Sequence, residues 1–205
     1  MNKFNPFIMP LFFTVAVAQA YAEEAVEIAP TPATVTESVG TNLHAQIGGG
    51  YHGRFVSETH DDYAVNFNSP VFSARLIPAK NFALETNYYN FGGGRYTKGS
   101  ESGPSVFDNS GLEVNFLLGS SLVDEGFFAY VGVGYFSETW ESMTSGNQYG
   151  ASGIQAPIGI GYNFGHFSID AQAAYRNPAA YQGDVFSTTS DPEAYTMQLR
   201  LFANM

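Results

Sequence analysis

Between Gly153 and Arg176, apolar and polar residues alternate one by one on both sides of a short turn. Ile154, Ala156, Ile158, Ile160 and Tyr162 share one face, against Gln155, Pro157, Gly159 and Gly161 on the other. After Asn163-Phe164-Gly165-His166, the residues Phe167, Ile169, Ala171, Ala173 and Tyr175 alternate with Ser168, Asp170, Gln172, Ala174 and Arg176. Period two on both sides of a short turn predicts a β-hairpin. Its apolar face carries no charge, whereas Asp170 and Arg176 stand well inside the other face. A water-soluble sheet turns its charges outward. This pattern predicts the reverse, with lipid outside and a packed polar interior.

The same alternation recurs along the chain. Leu43 to Phe55 sets Ala45, Ile47, Gly49, Tyr51 and Phe55 against His44, Gln46, His52 and Arg54. Val71 to Ile77 sets Phe72, Ala74 and Leu76 against Ser73 and Arg75. Tyr63 to Asn68 alternates in the opposite phase across Ser69-Pro70, which predicts either an extension past a bulge or part of a loop. Phe82 to Phe91, Leu112 to Gly119, Phe127 to Ser137 and Ala194 to Met205 complete the set. Their inward faces hold Glu85 and Asn87, Glu113 and Asn115, and Thr196, Gln198 and Arg200. Four stretches read as long loops: the segment around Glu58, His60, Asp61 and Asp62, then 92–111, 138–152 and 177–193. Eight strands joined by alternating long and short connections predict an all-β fold, an eight-stranded antiparallel up-and-down transmembrane β-barrel over residues 42–205. Its termini and short turns then lie in the periplasm and its long loops outside. Pro157 sits in mid-strand, where every backbone N–H should be paired, and a local bulge would resolve it.

The N-terminus adds an address. Lys3, an apolar run from Phe7 to Ala18, and Ala20-Tyr21-Ala22 before Glu23 form a secretory signal over residues 1–22, too short to span a bilayer as a helix. Residues 23–41, rich in Pro, Thr, Ala and Glu, read as a flexible periplasmic linker. The expected location is therefore the outer membrane. The chain has no cysteine, so it has neither a disulfide nor a lipoprotein anchor site. Charged residues are 13% of the chain and aromatics 16%; an ordinary soluble domain carries about 25% charge. Net charge is −11, and −12 once Lys3 is removed, which excludes nucleic acid as a partner.

Four of the five arginines, Arg54, Arg75, Arg176 and Arg200, fall on the polar faces with Glu85, Glu113 and Asp170. An eight-stranded barrel is just wide enough for side chains to fill, so these seven predict a lumen charge network that plugs the interior. Folding about the Pro78–Asn81 turn brings Arg75 opposite Glu85, and the two are expected to pair. A small gated ion path is the alternative use of the same residues. Enzymatic chemistry finds little footing. No Ser stands at a recognisable spacing from His44, His52, His60 or His166, and the His-x-Ser-Asn pattern of lipid A deacylases is absent. No cofactor or metal motif is present; Glu58, Asp61 and Asp62 match no metal loop. The long loops carry roughly eight net negative charges. Beside anionic lipopolysaccharide they point to a cationic ligand, or to one recognised by Trp140, Tyr149, Tyr181 and Phe186. A soluble lipocalin-like ligand binder, with its apolar face inward, would need a Lys-rich surface that this chain lacks.

The segments LETNYYNFG (84–92), FAYVGVGYF (128–136) and PIGIGYNFGHFSIDAQAAYR (157–176) resemble strands of the opacity-protein and OmpA-like family of eight-stranded outer-membrane barrels. The likeness covers most of residues 43–205. It implies insertion in the outer membrane of a Gram-negative bacterium and a structural, adhesive or host-interaction role, and it implies no single ligand. Two departures stand out. Family members usually end in an aromatic residue, whereas this chain ends Phe202-Ala203-Asn204-Met205, and no peptidoglycan-binding domain follows the barrel.

Overall fold

The computed structural model describes residues 43–58, 63–91, 94–98, 100–104, 107–182 and 192–205. The signal at 1–22 and the linker at 23–41 lie outside the described residues. The strands are β1 (His44–Glu58), β2 (Tyr63–Ala79), β3 (Phe82–Phe91), β4 (Gly94–Lys98), β5 (Glu101–Pro104), β6 (Phe107–Gly119), β7 (Gly126–Ser142), β8 (Gln148–Asn163), β9 (Phe167–Arg176) and β10 (Pro192–Asn204). All but β4 and β5 pair antiparallel in chain order, and β1 closes the ring by pairing with both β2 and β10. The register can be followed from Val56 through Ala194, Arg176, Gln155, Gly134, Asn115, Glu85 and Arg75. It returns to β1 at Gln46, ten residues from its start (56 to 46). Such a stagger is what tilted strands need to close a sheet without leaving an edge.

The strands run further than their apolar alternation shows. β4 pairs with the first residues of β2, and β5 pairs with β4, so most of 92–111 is strand rather than loop. β7 and β8 reach Ser142 and Gln148, shrinking the expected 138–152 loop to 143–147. Ser137, Thr139 and Glu141 are exposed there while Phe136, Glu138 and Trp140 are buried, so period two persists although the outer face has turned polar.

Two local expectations are corrected. β2 is continuous across Ser69-Pro70, with unbroken register against β1 and no bulge. Its apolar phase inverts because Val65, Phe67 and Val71 face an apolar part of the interior, whereas Ser73 and Arg75 face a polar part. Pro157 likewise sits without a register shift. The β7–β8 ladder skips Gly132 and Val133, opposite Pro157 and Ala156, and then resumes in phase. A side chain at Gly132 would begin 3.2 Å from the Pro157 ring, so glycine makes room for it.

The interior is layered. Toward the short turns, Ile77, Ala83, Leu117, Leu122 and Phe128 are buried together. Toward the long connections, Val56, Val65, Phe67, Phe136, Trp140 and Tyr181 form a second apolar layer. Charged and amide side chains occupy the space between. Outside, Phe72, Val131, Ile160, Met197 and Leu199 are all more than half exposed. In water so continuous an apolar exterior would drive association; against lipid it is the expected surface.

Candidate functional site in the charged lumen

Period two delivers one inward side chain every second residue, and the stagger stacks them from neighbouring strands. The result is two groups of four charges. In the first, Arg75 donates to Glu85 at 2.5 and 3.1 Å, to Asp170 at 2.7 Å and to Gln46 at 3.1 Å. Arg200 donates to both oxygens of Asp170 at 2.9 and 3.0 Å and lies 3.0 Å from Glu85. Asn87, Asn115 and Gln172 also donate to Glu85, at 3.0–3.1 Å. Tyr130 donates to Asp170 at 2.9 Å. The Phe202 ring lies beneath both guanidinium groups, 4.6 Å from Arg75 and 5.2 Å from Arg200.

In the second group, Arg176 donates to Glu113 at 2.5 Å, Glu138 at 2.7 Å, Tyr89 at 2.9 Å, Tyr181 at 3.1 Å and Gln155 at 3.2 Å. Arg54 pairs with Glu138 and donates to Asn109 at 3.0 Å, with its guanidinium over the rings of Phe67 and Trp140. Glu138 also accepts from Trp140 at 2.8 Å and Tyr89 at 3.0 Å. Asn87 joins the groups, donating to Glu85 and Glu113 at 3.0 Å each. A second link runs from Arg176 through Gln155 and Asn115 to Glu85. These four lie on the register circuit, with Gly134 alone between Gln155 and Asn115, so the side-chain chain follows the line of the backbone ladder.

Each of the eight charged residues is at most 3% exposed, and they divide into four cations and four anions. An unpaired buried ion costs several kcal/mol, and a paired one is tolerated only when its remaining lone pairs and protons find partners. In the lumen, amides and tyrosines supply most of those partners.

The seven charges expected from the sequence all point into this network, with Arg75 facing Glu85 across the β2–β3 register. Glu138 was missed. Extending the Phe136 alternation by one step would have found it, and it brings the anions to four. The aromatic surface expectation is corrected: Trp140 and Tyr181 are 1% and 0% exposed, packed inside against Phe67 and Phe136. Both rings carry polar atoms that bond to the lumen charges, which is why they turn inward. Tyr149 is half-buried, 6.0 Å from Phe107. Phe186, His60, Asp61 and Asp62 lie outside the described residues, and Glu58 closes β1 facing inward rather than standing in a loop. His44 lies on the inward phase of β1, opposite Ile77, but is exposed at the barrel end, whereas His52 is buried with its ring 4.6 Å from Tyr89. Among the described residues, no cluster of three or more His, Asp or Glu is arranged to hold a metal.

Among solved structures, the neisserial surface protein NspA matches with a TM-score of 0.53 at 13% identity, covering 78% of this chain and 96% of that one. The fold is that of the small eight-stranded outer-membrane barrels. Ail of Yersinia pestis, solved in complex with the heparin analogue sucrose octasulfate, matches at 17% identity over 80% of this chain and 99% of its own, with a TM-score of 0.46. OprG of Pseudomonas aeruginosa matches at 12% identity over 79% and 95%, also with a TM-score of 0.46. No family model matches the sequence, and a search among curated proteins finds no match either. In fold the chain is thus a transmembrane β-barrel.

Proposed function

We propose that the protein is exported to the outer membrane, where it stands as a closed barrel and acts as a non-enzymatic surface interaction protein, adhesin- or opacity-like. The observation that carries this reading is the inversion of the sheet: an apolar exterior around four buried arginines and four buried carboxylates. Ion-paired charges packed between two apolar layers support a plugged lumen over an ion path. With nothing to conduct, the variable part is the end bearing the long connections, where outward residues turn polar at Asn68, Asn90, Ser110, Ser137 and Ser152.

The expected partners are outer-membrane lipid and lipopolysaccharide around the barrel, and a host or cell-surface ligand at the loops. Four of the eight Lys and Arg are buried in the lumen while the net charge is −11, so a polyanion is disfavoured and a cationic or aromatic-binding ligand is favoured. Tyr149 and the segment containing Phe186 are the aromatic contacts this reading retains. The test compares bacteria displaying the full chain with bacteria displaying a version whose 143–147 tip and 183–191 segment are replaced by Gly-Ser. Adhesion to host-type cells is expected to fall severalfold with surface expression unchanged. Equal adhesion would overturn the surface-binding role.

A further inference from the structure

At the end bearing the long connections, the wall rises past the upper apolar layer. Val56, Val65, Tyr96 and Gly103 are successive cross-strand partners on β1, β2, β4 and β5. One step nearer the rim, a second inward row runs Pro192, Glu58, Tyr63, Lys98 and Glu101. Beneath it lie Val56, Val65, Phe67 and Trp140, with Tyr63, Tyr96, Phe107 and Tyr149 half-buried against them. The Tyr63 and Tyr96 rings stack, with centroids 6.3 Å apart and planes 23° apart. A Cβ at Gly103 would stand 3.0 Å from the Tyr96 ring, so glycine leaves that ring its place.

Glu58 stands apart from the other buried acids. Each of the four lumen carboxylates holds an arginine. Glu58 is only 9% exposed, yet among the described residues its carboxylate makes no hydrogen bond or ion pair. Lys98, the cation of its row, is exposed, stands beyond Tyr63 and has Glu101 directly opposite it. A carboxylate drawn out of water without a partner is costly, and a fold keeps one where something outside it supplies the partner.

We propose that Glu58, with the stacked Tyr63 and Tyr96 rings beside it, takes a basic side chain of a partner protein, a lysine ammonium or an arginine guanidinium. Both bring charge and N–H donors, which a carboxylate with open lone pairs requires. The aromatic wall receives the apolar stem and attracts the cation over its ring faces. A quaternary ammonium brings charge without donors, and an anionic ligand meets Glu58 with like charge. This inference rests on the surface-interaction reading given above and assigns it a site and a ligand chemistry.

The test follows small probes by their own NMR signals as the protein, refolded in detergent micelles, is added. The probes are N-acetyl-lysine amide and N-acetyl-arginine amide. N-acetyl-norleucine amide is the uncharged control, and tetramethylammonium is the cation without donors. The two basic probes are expected to broaden and the two controls are not. Glu58→Gln, which keeps the volume and removes the charge, should weaken binding of the basic probes about 10-fold or more. Its urea midpoint should be unchanged or higher, because the variant gives up a buried charge that has no partner to lose. Equal binding by Glu58→Gln, by norleucine amide or by tetramethylammonium would overturn the site, as would the failure of both basic probes to bind. A lowered urea midpoint would overturn it as well, by showing that Glu58 serves the fold. Adhesion that falls on replacement of 143–147 and 183–191, with no binding of the basic probes, would leave the surface role standing without this site. Equal adhesion with Glu58-dependent probe binding would overturn the role and leave the cation site.

Discussion

Glu85→Leu is expected to destabilise the barrel by about 3–5 kcal/mol, the magnitude for leaving buried charges without their partner. Glu85 is fully buried and receives Arg75, Arg200, Asn87, Asn115 and Gln172. Leucine leaves two guanidinium groups to share Asp170 and strips three amides of an acceptor, in a layer closed at both ends by apolar residues. Glu85→Gln keeps the volume and one acceptor oxygen while removing the charge, so its cost should be smaller, nearer 2 kcal/mol. The check is the urea midpoint of unfolding in lipid vesicles, read from the fraction of folded protein on an unboiled gel. A change below about 1 kcal/mol for Glu85→Leu would mean that the charge group is not the stabilising centre of the lumen.

Arg176→Ala should produce the other large effect, and a different one. Among the described residues Arg176 is the one cation bonded to Glu113, and it shares Glu138 with Arg54. Its removal leaves the lumen one positive charge short and opens a void between Tyr89 and Tyr181, both of which donate to or accept from this network. Water and small cations are the available compensation. Loss of about 3–5 kcal/mol of stability is expected, together with cation-selective conductance steps in planar bilayers where the unaltered protein shows none. Steady conductance from the unaltered protein would instead support the ion-path alternative. A silent and destabilised Arg176→Ala would show that the two apolar layers alone seal the lumen.

Much of this fold was legible because a membrane barrel writes its two environments into alternate residues. The Ile158-Ile160-Tyr162 and Phe167-Ile169-Ala171 runs carry that signal without help from the rest of the chain. It fades where one environment changes. Above the apolar exterior, Ser137, Thr139 and Glu141 face water while Glu138 and Trp140 still face in, so the contrast between faces vanishes although the strand does not. That single loss explains the shortened β7, the missed Glu138 and the misplacing of Trp140 on the surface. The inverted phase of Val65 and Phe67 has the mirror cause, an apolar interior layer beneath a polar exterior. Tyr181 was beyond sequence reach for another reason. It sits in a 3₁₀ turn (Pro178–Tyr181), and its inward course is set by Arg176 and Glu138 chemistry on other elements.

The account rests on the barrel being apolar outside and charged inside, and electrophoretic heat-modifiability tests this most directly. Protein refolded into detergent micelles is run on a gel with and without boiling. A membrane barrel of this kind is expected to resist the gel detergent until boiled, so the two samples should migrate at different apparent masses. Identical migration, together with a soluble monomer in detergent-free buffer, would contradict the account and would mean that the apolar face encloses a ligand cavity instead.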